Sequence, residues 1–312
     1  MSNDFPTTLG LNRLVRAHFA LQPGRHRSHG FHPSQMADLC PTLYWFIEQA
    51  RMDITSNDPG KVRAAYEFLQ RALNDDAQRY SVQVRMEFPI GHAIHADIQY
   101  KLGLVGKLWG QWCCSNCHYT TSDSYMPRAL VLDVTGKGEV TTPAGCMRCA
   151  QNLGAMYPWH YVEPAIKSVE WEITGHCDGI IRHVEADQVF WLLLEIKSAH
   201  QAKFEEKCGA LPVPAHVSQA SIYAQIRGLT RICFLYVCKN QTSSWKEIIV
   251  PVDQQAVIGV QDKISAVKWG RQHGQPPLHA RVCPSVMDTR AKTCVACKRC
   301  FGADPPANWW GT

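Results

Sequence analysis

Residues 168–198 read SVEWEITGHCDGIIRHVEADQVFWLLLEIKS, and two strands can be traced in them. Val169, Trp171 and Ile173 alternate with Glu170, Glu172 and Thr174, the period-two pattern of a half-buried strand. Val189 to Ile196 is a nearly continuous apolar run, as in a strand covered on both faces. Glu195 and Lys197 interrupt it. Two positions apart on a strand, they point to the same face, with Cα atoms about 6.6 Å apart. A carboxylate and an ammonium beside Leu192, Leu193 and Leu194 are costly to bury unless they pair or bind something. Asp178, after the turn-prone Gly175, adds a second carboxylate close to the neighbouring strand. An Asp followed across a hairpin by Glu-X-Lys suits a divalent-metal phosphodiesterase. The carboxylates hold Mg²⁺ or Mn²⁺, and the lysine orients the attacking water or neutralises charge developing at phosphorus. On this stretch alone, a surface hairpin with a salt bridge accounts for the same residues equally well.

The 312 residues suffice for one large domain with an insertion, or for two domains. An apolar fraction of 46% with 19% charged residues describes a globular protein. No apolar run approaches the roughly 20 residues of a membrane span, so no membrane partner is expected. Asp4, Arg13, Arg16 and His18 break up the first residues, so no signal peptide is expected and the expected compartment is the cytoplasm. In a reducing compartment the 14 cysteines, clustered in C-x-x-C pairs, point to metal and not to disulfides. The formal net charge of +5 argues for nothing once thiolate sites are counted, because each carries negative charge of its own. Local charge says more. Phe5 to Ala37 contains no acid but holds Arg13, Arg16, Arg25 and Arg27, and from Lys263 to Arg299 the single acid Asp288 faces Lys263, Lys268, Arg271, Arg281 and further bases. Two basic ends suit phosphate contacts; a solvated surface is the plainer reading of either end alone.

Along the chain, residues 1–32 read as a basic arm. His32, Pro33 and Ser34 can cap a helix from about Gln35 whose apolar stripe holds Met36, Leu39, Cys40, Leu43, Phe46 and Ile47. A second helix is expected over Lys61–Arg79 and a third over Ile90–Leu102, the latter carrying Gly91 and His95. His95 is placed to ligate a metal or touch phosphate, although a lone helical histidine is more often structural. Phe204 to Leu211 reads as a loop or short helix. Pro214 opens a helix on which Gln219 and Tyr223, four apart, share one face. Arg231–Lys239 and Lys246–Val252 read as a strand hairpin, and Asp253 as the N-cap of a helix to Gln272. Cys177, Cys208, Cys233 and Cys238 stand singly and read as core. No G-x-x-x-x-G-K-[ST] motif occurs, which excludes a P-loop motor.

Gly103 to Gly154 is Gly-rich and holds two knuckles, Cys114/Cys117 and Cys146/Cys149. Four thiolates so arranged close a tetrahedron around Zn²⁺ at about 2.3 Å, the signature of a zinc ribbon. Cys113 breaks the spacing. Such a closed site is structural and folds a module too small to hold a core of its own. At the C-terminus Cys294, Cys297 and Cys300 follow one another at x2 intervals, an arrangement suited to an iron–sulfur cube. A fourth thiolate is needed, either Cys283 or one distant in sequence. A zinc site of Cys283, Cys294, Cys297 and Cys300 is the competing reading.

The ordered set resembles the RecB-type branch of the PD-(D/E)XK nucleases, in particular the iron–sulfur exonucleases that include the CRISPR-associated RecB-like proteins and the AddB nuclease domain. Ser34-Gln-Met-Ala-Asp-Leu-Cys40 resembles the family's N-terminal cluster-ligand helix and Gly91-x-x-x-His95 its histidine motif. Gly175-His-Cys-Asp178 resembles the first acidic motif, Glu195-Ile-Lys197 the Glu-X-Lys motif, and Gln219-x-x-x-Tyr223 the trailing Gln/Tyr motif. Cys294, Cys297 and Cys300 resemble the C-terminal cluster ligands. The chain departs from the pattern in having Cys177 where the superfamily's proline stands, in its x2, x2 cysteine spacing, and in a zinc ribbon between His95 and Asp178.

The resemblance implies an α/β fold: a restriction-endonuclease-like central mixed sheet flanked by helices, with an inserted zinc ribbon and a cysteine cluster joining the N- and C-terminal parts. The implied segments are 1–102 with the arm and the histidine motif, 103–154 the ribbon, 155–272 the nuclease core, and 273–312 the cluster segment. It implies a DNA exonuclease acting on single strands or duplex ends. Asp178, Glu195 and His95 would hold Mg²⁺ or Mn²⁺, Lys197 would position water, and Gln219 and Tyr223 would orient Lys197 or a phosphate. Cys40, Cys294, Cys297 and Cys300 would hold a [4Fe-4S] cluster, with Cys283 as the alternative fourth ligand. Recombination or replication proteins are the implied partners. A structure-specific endonuclease and a non-catalytic iron–sulfur and zinc DNA-binding module are the alternatives.

Overall fold

The computed structural model describes Phe31 and residues 40–56, 58–79, 82–132, 139–149, 158–185, 187–207, 212–241, 244–292, 294 and 296–302. The basic arm (apart from Phe31), the segment 34–39 and Cys208 lie outside the described residues. The chain divides into two units: Met1–His29 with Asp38–Pro89 and Gln261–Thr312, and Gly30–Ala37 with Ile90–Val260.

Helix α1 (Pro41–Asp53) begins at a proline, whose missing N–H would have lacked a helical partner in any case. Pro41 also pushes the preceding residue into extended backbone, so Cys40 (φ −92°, ψ 111°) is the N-cap and does not lie on the helical stripe expected from Gln35 onward. Helix α2 (Pro59–Arg79) follows a turn in which Asp58 Oδ1 accepts from Gly60 N at 2.8 Å. Helix α3 (Val82–Leu104) starts earlier than Ile90 and runs through Pro89, which costs it one intrahelical bond.

Strands β1 (Leu108–Cys114), β2 (Ser124–Tyr125), β3 (Arg128–Leu132), β4 (Glu139–Pro143), β5 (Trp159–Val162), β6 (Ala165–Ser168) and β7 (Ile173–His176) come next. They lead to β8 (Gly179–Glu185), β9 (Gln188–Ala199), α4 (Gln201–Lys207), α5 (Pro214–Ile226), β10 (Arg231–Cys238), β11 (Trp245–Pro251) and α6 (Gln254–His273). The central sheet runs β11-β10-β9-β8-β1-β2, with β5 also on β1. Strands β1, β8 and β9 pair antiparallel, and β10 lies parallel to β9. Parallel neighbours need a crossover, and α5 supplies it. Helix α3, the three antiparallel strands, α5 and β10 thus make a restriction-endonuclease-like mixed sheet flanked by helices.

Two of the expected elements need correcting. The alternation over Val169–Thr174 is not one strand: Val169–Glu172 is a turn, and only Ile173 and Thr174 belong to β7. Chain β6 ends at Ser168, Val169 is 94% exposed, and Trp171 N donates to Ser168 Oγ at 3.1 Å. Glu172 takes a left-handed φ of 52°, which returns the chain into β7. The alternating apolar residues of a tight turn imitated a strand. The partner of β9 is instead β8, in register Gly179↔Leu194, so the acids approach across the β8–β9 hairpin. The apolar run of β9 is covered on both faces only in its second half. Leu192, Leu194 and Ile196 pack with Ile98, Leu108 and Trp112, whereas Leu193 packs with Ile166, Ala220, Tyr223 and Ala224. Trp191, at 38% exposure, lies beyond that cover.

In the first unit Trp45, Phe46, Ala50, Ala65, Phe68 and Leu69 form a core with Ala296. A 3₁₀ turn (Leu278–Ala280), α7 (Thr289–Lys292) and α8 (Cys297–Phe301) end the described chain. Thr42 Oγ1 donates to Pro277 O at 2.8 Å, and Arg271 forks onto Glu48 through Nε–Oε2 at 2.8 Å and Nη2–Oε1 at 2.5 Å. Both contacts fasten α1 to the C-terminal segment. Among the described residues no helix is long and apolar enough to cross a membrane.

Candidate metal-dependent active site

Asp178 stands one residue before β8, opposite Glu195 of β9, where the register Gly179↔Leu194 places it. Its Oδ2 accepts from Ile196 N at 2.6 Å, and its Oδ1 lies 3.4 Å from His95 Nδ1 on α3. Glu195 is 2% exposed, and Lys197 Nζ reaches its Oε1 at 2.5 Å, so the buried carboxylate and ammonium are paired. A third acid joins them. The donor atoms of His95, Glu163 and Asp178 lie within 4.8 Å of one another. Gln99, one turn after His95, donates from Nε2 to Glu163 Oε1 at 3.1 Å and to Asp178 O at 2.9 Å. Cys177 N donates to Pro164 O at 3.2 Å, which holds the Glu163–Pro164 link against the start of β8.

Tyr223 is buried on α5, and Gln219, one turn earlier, hydrogen-bonds its hydroxyl. A Cβ built on Gly175 would lie 2.7 Å from Tyr223 Oη, so only glycine lets β7 pass there. All six residues singled out for this chemistry, His95, Asp178, Glu195, Lys197, Gln219 and Tyr223, therefore occur in one neighbourhood. Glu163 and Gln99 were not among them. Gln99 carried a signal, its i+4 spacing from His95. Glu163 sits between two short strands at no informative spacing from the other acids.

Burial raises the Glu195 carboxyl to about 7; Lys197 opposes this and Asp178 adds to it. Burial pulls the His95 imidazole down, but the hydrogen bond and charge of Asp178, helped by Glu163, outweigh it and leave the pKa raised. Lys197 stays protonated because Glu195 and Asp178 overcome the burial that works against its charge. Burial, then the Glu195 charge, raises the Tyr223 phenol, so Tyr223 offers a neutral hydroxyl. Three oxygen and imidazole donors beside a further carboxylate fit a hard divalent cation.

The ribbon cysteines form a second donor set. Cys114 Sγ lies 3.7 Å from Cys149 Sγ and Cys117 Sγ 3.7 Å from Cys146 Sγ, and all four gather within 4.8 Å. Sulfurs about 2.3 Å from one tetrahedral ion are about 3.8 Å apart, so this group could bind a metal such as zinc. Asn116 N points at Cys114 Sγ at 3.4 Å, and His118 takes φ 58° to turn the knuckle. Cys113, hydrogen-bonded to Cys114 O at 3.8 Å, lies outside the group.

In the first unit Cys294 and Cys300 pack against the apolar core. Burial, then the charges of Cys294, Cys40, Cys297 and Cys283, pushes Cys300 up to about 12. Cys283 and Cys294 are likewise raised, first by burial. Cys40 and Cys297 are among the causes of both shifts. Among the described residues these five cysteines do not form a set within 4.8 Å, unlike the ribbon sulfurs.

No protein-family model matches the chain, and no curated protein is similar to it in sequence. Among solved structures, SSO0001 is similar with a TM-score of 0.35 and 14% identity, over 88% of this chain and 96% of that one. An alkaline exonuclease, LHK-Exo from Laribacter hongkongensis, is similar with a TM-score of 0.37 and 10% identity, over 84% of this chain and 93% of that one. Its complex with dAMP has a TM-score of 0.36 and 11% identity over the same shares. The fold of this chain is defined by its own strand order.

Proposed function

We propose that the chain is a divalent-metal-dependent DNA nuclease of the RecB-type iron–sulfur branch of the PD-(D/E)XK nucleases, acting as an exonuclease on single strands or duplex ends. The observation that carries this reading is the convergence of His95, Glu163 and Asp178 beside the buried Glu195–Lys197 pair at the carboxyl end of β9. A bound Mg²⁺ or Mn²⁺ supplies positive charge to the phosphate oxygens and acidifies a water. His95, Asp178, Glu195 and Glu163 are the residues that would hold it. Asp178, with one oxygen fixed by Ile196 N–H, turns the other toward His95. Glu195 fixes the Lys197 ammonium, which aligns the water and faces charge building up on the phosphate. Tyr223, held by Gln219, presents a neutral hydroxyl to the same acids.

Cys114, Cys117, Cys146 and Cys149 would hold a structural Zn²⁺. Cys40, Cys294, Cys297 and Cys300 would hold a [4Fe-4S] cluster, with Cys283 as the alternative fourth ligand. A cube ligated through four irons spreads its thiolates wider than one ion does, which suits the looser C-terminal group. Hydrolysis needs no electrons, so this cluster is structural. DNA is the partner, and recombination or replication proteins would share it.

The test is cleavage of end-labelled linear and circular single strands with Mn²⁺, by wild type and Glu195→Ala protein purified without oxygen. Wild type should digest linear strands and spare circles, and the variant should lose at least 100-fold. Cut circles would replace the exonuclease reading with an endonuclease one. A metal-replete wild type that leaves every strand intact would sink the nuclease reading.

A further inference from the structure

Strand β9 is not covered by α5 at its amino end. Side chains alternate along a strand, so Val189, Trp191 and Leu193 share the face of Glu195. Leu193 is buried there, whereas Trp191 is 38% and Val189 45% exposed. Directly paired residues share a face, and the registers Trp191↔Arg182, Leu193↔Ile180, Ile180↔Trp109 and Trp109↔Tyr125 carry this one across to β2. Three of its rings meet edge to face. Trp109 lies 5.6 Å from Trp191 and 5.0 Å from Tyr125 between ring centroids. Each ring steadies the next, so the outer side of Trp191 is held in one orientation. Two exposed cations border the row. Arg182 stands opposite Trp191, and its backbone N–H donates to Lys107 O at 3.1 Å, which sets Lys107, one residue before β1, beside it. Among the described residues neither cation has an ion-pair partner. Exposed rings rimmed by unpaired positive charge suit a single strand of nucleic acid, whose bases stack on rings while its phosphates meet the cations. An apolar protein surface would leave both charges without a partner.

We propose that Trp191, steadied by Trp109 and Tyr125, stacks the bases of a single strand while Lys107 and Arg182 hold its phosphates. Four positions along β9 separate Trp191 from Glu195 by about 13 Å. Leu193 is buried between them, so a strand that reaches both passes over covered sheet and spans more than that distance. The route to Glu195 rests on the nuclease reading; the stacking does not.

Binding of fluorescent single strands in Ca²⁺ tests it, each strand made with and without a run of base-free sugars. Trp191→Ala should weaken binding about 10-fold, with Trp191→Phe restoring most of the loss. Removing the bases should weaken wild type by a similar factor and Trp191→Ala far less, because the ring they stack on is gone. Arg182→Gln should cost about 3-fold at low salt and progressively less as salt rises. If Trp191→Ala binds like wild type, or if base-free runs cost the variant as much as they cost wild type, the platform is wrong. A wild-type dimer that Trp191→Ala dissolves, with strand binding unchanged, would make this face a contact between copies and overturn the proposal as well. A protein that stacks strands this way yet never cuts them would overturn the nuclease reading while confirming the platform.

Discussion

Gln99 reaches Glu163 Oε1 at 3.1 Å with the same amide nitrogen that donates to Asp178 O at 2.9 Å. One buried side chain thereby ties together the two segments that carry these acids, the link between β5 and β6 and the residue just before β8. Outer contacts of this kind are worth 10–100-fold in metal affinity in other sites. Gln99→Leu should keep the fold, since leucine has similar volume, and should weaken Mn²⁺ binding by at least 10-fold in calorimetry. Glu163→Gln should weaken it by a comparable factor. An unchanged Mn²⁺ affinity in both would remove Glu163 from the ligand set.

Glu195 gives a pH dependence whose sign is fixed by its raised carboxyl. In cation-free protein the folded chain keeps this proton up to about 7, whereas an unfolded chain releases it near the ordinary carboxyl value of 4.5. Between those limits the folded state binds more protons, so stability falls as pH rises. The loss is on the order of 3 kcal/mol. Urea unfolding from pH 5 to pH 8 should show this decline in wild type and a flatter course in Glu195→Gln. With Mn²⁺ present the slope should reverse, because the cation displaces the proton and binds more tightly as pH rises. Parallel curves for the two proteins would mean that Glu195 carries its charge throughout.

The ribbon sulfurs already sit at the spacing of zinc ligands, with two pairs 3.7 Å apart. One zinc per chain is expected by elemental analysis. Cys146→Ser should abolish it, since three thiolates and a hydroxyl bind Zn²⁺ far more weakly than four thiolates. Cys114 ends β1, whose Leu108 and Trp109 pair with β8, so zinc loss should also loosen the strand beside the acids. Cys113→Ser should retain the metal. A zinc content unaffected by Cys146→Ser would break the assignment.

Short-range pattern was enough wherever a residue and its partner share one element. Gln219 and Tyr223 meet because they are one turn apart on α5, Glu195 and Lys197 because they are two apart on β9. Asp253 caps α6 as its sequence promised, with Oδ1 accepting from Gln255 N at 3.0 Å and Ala256 N at 3.1 Å. Pattern failed where long-range packing decides. Glu163 joins the acids only because β5 pairs with β1, and nothing in the residues around it marks that pairing. Val169 to Thr174 alternates like a strand, yet the Ser168 hydroxyl and the left-handed Glu172 close a turn there. Cys40 left the helix for a local reason, the restraint of Pro41 on the residue before it.

Cys40 lies 254 positions before Cys294, and a cluster shared between them would close most of the chain into one loop. The segments that carry them are already fastened by Thr42 to Pro277 and by Glu48 to Arg271. Cys40 is among the charges that raise Cys283, Cys294 and Cys300. Cys283, half-buried like Cys40, is the alternative, on an irregular stretch between the 3₁₀ turn and α7. Cys40→Ala should therefore lose most of the iron and the brown colour and melt several degrees lower, whereas Cys283→Ala should keep both colour and iron. About four iron atoms per chain are expected in wild type purified without oxygen. The opposite pattern would make Cys283 the fourth ligand and leave the ends of the chain joined by packing and the Glu48–Arg271 pair. Zinc in place of iron would return the four C-terminal cysteines, Cys283 included, to the single-ion reading.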